Sequence, residues 1–161
     1  MTVILTRENS QRSHVLKGGT DIWNDKFAYA GRLSAEWGID STILRLPQGN
    51  YFVWSRFSPN SLQSLYIAKM NSPTSIGTPY LLSEPTKSWE IVGGAVNEGP
   101  AAMYRGGKVF LTYSASYCWT ESYQLGLLTW NGGDPLQMSS WVKTGPVFSS
   151  ANGNLGTGHN G

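Results

Sequence analysis

Asp40, Glu98 and His159 stand 58 and 61 residues apart, and each opens a stretch of chain that resembles the others. Two carboxylates gathered in one pocket drive their pKa values apart, so that one keeps a proton while the other is ionised. That is the equipment for acid–base chemistry. Glycoside hydrolysis is the reaction it suits best, because one acid must protonate the leaving oxygen while a second carboxylate works on the other side of the sugar ring. Trp54 and Trp119 lie close to loops and are candidates for stacking on sugar faces. Cys118 has no histidine in an activating motif beside it, and reads as a packed or partly exposed thiol rather than a nucleophile.

For residues so distant in sequence to meet, a repeat must carry them. Asp40 precedes Phe52 by twelve residues and Glu98 precedes Phe110 by the same twelve, which gives a period of 58. Each unit reads as an acid, an apolar stretch, a glycine turn (Gly49, or Gly106-Gly107) and a β-rich run. A polar loop and a further strand follow, SLYIAKM in one unit and QLGLLTW in the other. Fourth strands are expected near residues 78–82 and 141–148. Four-stranded antiparallel sheets repeated in this way are the blades of a β-propeller, in which each blade buries its faces on its neighbours and the inner strands converge on one axis. The reading is a single all-β domain over 1–161, a partial arc of about three blades. Residues 1–35 end one blade, 36–95 and 96–155 form two more, and 156–161 begin the next.

Composition agrees. Nineteen glycines, eight prolines and a 12% share of aromatic residues favour short strands and tight turns over helices. The net charge of +2 arises from scattered residues without a basic run, so no nucleic-acid partner is expected. No apolar stretch has the length of a membrane span or of a signal-peptide core, and no membrane partner is expected. A single cysteine rules out an internal disulfide and a cysteine-based metal cluster.

The strings WGID (37–40) followed by YFVWS, WEIVGGAVNEGP (89–100) leading into GKVFLTYSAS, and GTGHNG (156–161) resemble glycoside hydrolase family 43. The resemblance covers nearly everything after residue 14, and its closest members are α-L-arabinofuranosidase-like. It implies a five-bladed propeller that cleaves glycosidic bonds with inversion. Glu98 takes the position of the general acid, and Asp40 that of the aspartate that tunes and orients it. His159 takes that of a histidine which in many members holds a calcium or sodium ion on the axis; no cofactor is needed for the chemistry. The implied substrate is an arabinose- or xylose-containing polysaccharide or oligosaccharide, and the parent protein is expected to be extracellular. The family's general-base aspartate has no counterpart: nothing in Met1–Gln11 matches its motif, and Asp21 and Asp25 are poor substitutes. The chain is therefore expected to be a fragment lacking the base and inactive alone. A non-catalytic carbohydrate-binding or decayed propeller is the alternative.

Overall fold

The computed structural model describes the backbone of Thr2–Leu5 and all of residues 11–160. The segment Met1–Gln11, in which no aspartate motif is found, falls largely outside them. Three antiparallel sheets follow one another along the chain. The first contains β1 (Thr2–Leu5), β2 (Arg12–Lys17) and β3 (Ala28–Arg32). The second runs β4 (Ile39–Leu46), β5 (Gly49–Phe57) and β6 (Gln63–Ser72), with β7 (Ser75–Ile76) and β8 (Tyr80–Ser83) both pairing with β6. The third is a meander of β9 (Asn97–Arg105), β10 (Lys108–Ala115), β11 (Gln124–Trp130) and β12 (Trp141–Phe148). The fourth strands expected in both full blades are β8 and β12.

Alternation along the strands explains why the sheets stack. Successive residues of a strand face opposite sides of its sheet, and a propeller blade has a neighbour on each side, so both sets are apolar. On β5, Phe52 and Trp54 turn toward the first sheet and pack with Val15, Leu33, Tyr66 and Ala68. Their neighbours Tyr51 and Val53 turn the other way and meet Leu111, Tyr113 and Ala115 of β10. Each fully buried aliphatic side chain in these two layers contributes roughly 1.5–3 kcal/mol.

The register corrects one expectation. The first hairpin closes at the pair Leu46–Gly49 and the second at Arg105–Lys108, so the ladders superpose with a shift of 59 residues, one more than the acid-to-acid count. On that register Glu98 corresponds to Ile39, and Asp40 to Gly99. Both inner strands carry a bulge at this point: Asp40 and Ser41 together oppose Trp54, as Gly99 and Pro100 together oppose Tyr113. Asp40, Gly99 and His159 share left-handed backbone, with φ of 51°, 55° and 62°. Asp40 and Gly99 are the equivalent positions of the two ladders, and Glu98 lies one residue before its blade's bulge.

Candidate active site

A one-residue slip normally sends a side chain to the other face of its sheet, yet Asp40 and Glu98 still meet. The bulges are the cause. With φ of 51°, Asp40 leaves the pleat and swings its carboxylate across to the neighbouring blade, where Oδ2 accepts the N–H of Gly99 at 3.2 Å. Gly99, also left-handed, points its N–H outward from β9 immediately after Glu98. Asp40, Glu98 and His159 thereby present ligand-type atoms all within 4.8 Å of one another, with the acids half-buried and the histidine exposed.

Both oxygens of Glu98 are held. Oε1 accepts the hydroxyl of Tyr123 at 2.7 Å, and Oε2 accepts Nε2 of Gln63 at 2.8 Å. The Tyr123 hydroxyl also lies 3.1 Å from Nδ1 of His159, so it bridges the acid and the imidazole. His159 is itself fixed by its backbone N–H, which donates to Ser114 Oγ at 2.6 Å, and Asn160 Nδ2 donates to Thr112 Oγ1. Gln63 Nε2 lies 3.2 Å from Ser55 Oγ, and that hydroxyl donates to the backbone oxygen of Asn97 at 2.8 Å. The acid thus sits in a cage drawn from β5, β6, β9 and the loop before β11.

Burial and the nearby Glu98 charge push the Asp40 carboxyl above the ordinary aspartate value, against the opposing pull of His159 and the Gly99 N–H. The Tyr123 hydroxyl is pushed well up, first by burial and then by the carboxylates around it, so it stays protonated and able to donate. The arrangement stores negative charge beside a half-buried acid, and that chemistry suits proton delivery.

As a cation site the cluster is short of ligands. Calcium takes six to eight oxygens, whereas the residues here offer one imidazole and two carboxylates, one of which is already bonded by two donors. Among the described residues the histidine's first partner is Tyr123.

The two tryptophans part ways. Trp119 is 83% exposed, on the loop that leads to Tyr123. Trp54 is 0% exposed, against expectation: it faces the first sheet, its ring 5.0 Å from that of Phe52 and 6.1 Å from that of Tyr66. Gly38 lies so close over it that a Cβ there would come within 2.7 Å of the indole. Trp54 is a core residue in this structure and not a sugar contact. Asp21 is occupied by its own loop, accepting the N–H groups of Trp23 and Asn24 and the Asn24 amide, and Asp25 accepts the N–H of Asp21. Neither joins the Asp40–Glu98 pair. Cys118 is exposed and free.

Sequence reasoning passed over Gln63, Tyr123, Ser55 and Asn97. Asn97 was in view within the string NEGP but carried no chemistry of its own. Gln63 and Tyr123 open the third strands of successive blades, or directly precede them, and only that shared place hinted at them.

Radially stacked antiparallel sheets of three to five strands with an acid pair at the inner strands define a propeller of the glycosidase kind. Residues 5–161 match the family described as Glycosyl hydrolases family 43, and the chain belongs to that family. It is 42% identical to an extracellular exo-α-(1→5)-L-arabinofuranosidase of Streptomyces avermitilis, over 92% of this chain and 33% of that protein. It is 36% identical to α-L-arabinofuranosidase 43 of Humicola insolens, with the same shares. The chain spans about a third of the length of these relatives. Among solved structures, an α-L-arabinofuranosidase from Lactobacillus brevis superposes with a TM-score of 0.80 at 33% identity, covering 88% of this chain and 46% of that one. A thermostable family-43 glycoside hydrolase shares the fold, with a TM-score of 0.71 at 21% identity over 98% of this chain and 59% of that one. No helix among the described residues is long and apolar enough to cross a membrane.

Proposed function

We propose that this chain supplies the acid half of a glycosidase centre, with Glu98 protonating the leaving oxygen of a terminal α-L-arabinofuranosyl unit. The observation that carries the reading is the doubly held Glu98 carboxylate beside the half-buried Asp40. Asp40 does not stand across a sugar from Glu98: it bonds the N–H of the very next residue, Gly99, so the two acids lie side by side. An inverting pair needs roughly 6.5–9.5 Å between acid and base to admit a water, and donor atoms within 4.8 Å leave no such gap. Asp40 therefore acts on Glu98 through the backbone, holding the N–H of the residue that follows the acid and so fixing its direction.

No third carboxylate among the described residues joins this cluster; we place the base in another part of the complete ring, and the 161-residue chain alone is expected not to turn over substrate. The names of the relatives support an α-L-arabinofuranosyl substrate; arabinan or arabinoxylan is the class we take to carry it, with β-xylosides as the other sugar the family resemblance admits. The Streptomyces avermitilis relative is named as extracellular, which supports an extracellular parent protein. Trp119, 83% exposed on the loop before Tyr123, is an aromatic surface available to a sugar. Any calcium or sodium ion on His159 would draw most of its oxygen ligands from water.

The test compares two arabinofuranosides in a protein that carries this chain within a complete ring. Glu98→Gln should lower kcat by about 10²–10⁴ on a substrate whose leaving alcohol needs a proton, and far less on a dinitrophenyl glycoside whose leaving group needs none. Equal losses on both would remove the acid role. A second reading, carbohydrate binding without hydrolysis, is favoured by a cluster that holds only two carboxylates among the described residues. It predicts arabino-oligosaccharide binding by the chain that survives Glu98→Gln and is lost in Trp119→Ala.

A further inference from the structure

A third carboxylate lies behind the site and takes no part in the proposed chemistry. Glu90 is 0% exposed and ends the 3-10 turn Ser88–Glu90. Its Oε2 accepts the backbone N–H groups of Thr86 and Lys87, each at 2.9 Å. Its Oε1 accepts the Asn97 amide at 3.0 Å, the Tyr113 hydroxyl at 2.9 Å and Lys143 Nζ at 2.8 Å. One buried anion thus joins the turn, the first residue of β9, the middle of β10 and the outer strand β12. The turn is pinned from outside as well. The Trp89 indole lies where a Cβ on Gly126 or Gly145 would stand within 2.7 Å of it, and the Trp89 carbonyl accepts Ser116 Oγ and Gln124 Nε2.

Of the five donors, Asn97 is the one that leads back to the acid. It is fully buried and each of its side-chain groups is engaged: Nδ2 donates to Glu90 and to the Val96 carbonyl, and Oδ1 accepts Ser83 Oγ at 2.9 Å. Its backbone oxygen accepts Ser55 Oγ, whose other partner, Gln63 Nε2, also donates to Glu98 Oε2. Asn97 is covalently next to Glu98, so its fixed amide sets where β9 begins and which way the Glu98 side chain leaves it. The bulge at Gly99 follows at once. Left-handed backbone on one side of Glu98 is held in place by a buried amide on the other.

We propose that Glu90 is a positioning residue for Glu98, acting through Asn97: the buried carboxylate anchors the Asn97 amide, and that anchor holds the acid in the single orientation that reaches both Tyr123 and Gln63. The assignment of Glu98 as the acid rests on the function proposed above, while the mechanical link between Glu90 and Glu98 does not. A solely structural Glu90 would serve stability and leave Glu98 unchanged in any variant that still folds.

The experiment is side-chain NMR of the 161-residue chain carrying 13C-labelled glutamate, with the Glu98 signals assigned by their loss in Glu98→Gln. In the unaltered chain the two Glu98 γ-methylene protons should be inequivalent, as for a fixed rotamer. In Glu90→Gln and in Asn97→Ala they should collapse toward one averaged signal while the amide shifts of β5, β6 and β11 stay in place. The double variant should add nothing, since both changes cut one path. A folded Asn97→Ala chain whose Glu98 protons remain inequivalent overturns the proposal. Should Glu90→Gln fail to fold, Ser83→Ala, which removes only the donor to Asn97 Oδ1, decides in the same way: averaging of Glu98 supports the link and a fixed Glu98 overturns it. None of these readings depends on hydrolysis, so equal losses on the two arabinofuranosides would sink the proposed function and leave this inference standing.

Discussion

Replacing Lys143 by methionine isolates the charge that faces Glu90. The ammonium lies 2.8 and 3.1 Å from the two carboxylate oxygens and donates to the Glu84 carbonyl at 2.6 Å, with its side chain 16% exposed. Burial holds its pKa below that of free lysine, and Glu90 draws it back up. At 2.8 Å and an effective dielectric of 20 the attraction is about 6 kcal/mol. Part of that is offset, because methionine no longer pays to leave water. Removing one partner of a buried pair costs about 3–5 kcal/mol. The lower end applies here, since Glu90 keeps the Thr86 and Lys87 amides, the Asn97 amide and the Tyr113 hydroxyl. A loss of about 3 kcal/mol lowers the Tm of a chain this size by roughly 6–12 °C. Calorimetry of both proteins at pH 7 measures it. A cost under about 1 kcal/mol, the size of an exposed pair, would refute the view of Glu90 and Lys143 as a buried pair.

Asp40→Asn should raise Tm at neutral pH. The folded chain holds the Asp40 carboxyl above its ordinary value of 3.8, so its ionisation opposes folding above the raised pKa and is without effect below 3.8; the gain from asparagine should vanish there, as a pH series of melts will show. Gly99→Ala should destabilise by about 1–2 kcal/mol, because φ of 55° is costly for an L side chain and the new Cβ would sit 3.3 Å from Ser114 Oγ; denaturant titration reads it. Trp54→Ala should cost about 3–5 kcal/mol as a core truncation, whereas Trp119→Ala, at an 83% exposed position, should leave Tm unchanged and weaken arabino-oligosaccharide binding. The reverse pattern in the same two assays would return Trp54 to the sugar site.

Much of this was legible before any coordinates. Strand order follows from glycine turns and β-rich runs of fixed length, both local signals, and the repeat of acid, strand, turn and strand pointed to blades whose inner ends converge. Hence Asp40, Glu98 and His159 were brought together on paper, and the structure brings them together in space. The register was another matter. Counting acid to acid gave 58, whereas the hydrogen-bond ladders repeat at 59, because the two acids do not correspond: Asp40 is the first residue of its bulge and Glu98 is the residue before its own. Only the ladders and the left-handed φ values at Asp40 and Gly99 reveal which residues correspond. Trp54 was misplaced for a related reason: an aromatic residue near a strand end has the same sequence signature whether it faces a neighbouring blade or a ligand, and the facing sheet decides.

The sequence by itself determined the β architecture and the presence of a blade repeat, and it marked Asp40 and Glu98 as the candidate acids, since these rest on turn chemistry, alternation and residue type along short stretches. Tertiary structure alone decided what holds Glu98. Gln63, Tyr123, Asn97 and Glu90 are polar residues that could as well have pointed to solvent. Their roles come from atoms of other strands lying 2.7–3.0 Å away, and contacts between chain segments up to 35 residues apart leave no periodic mark in the sequence.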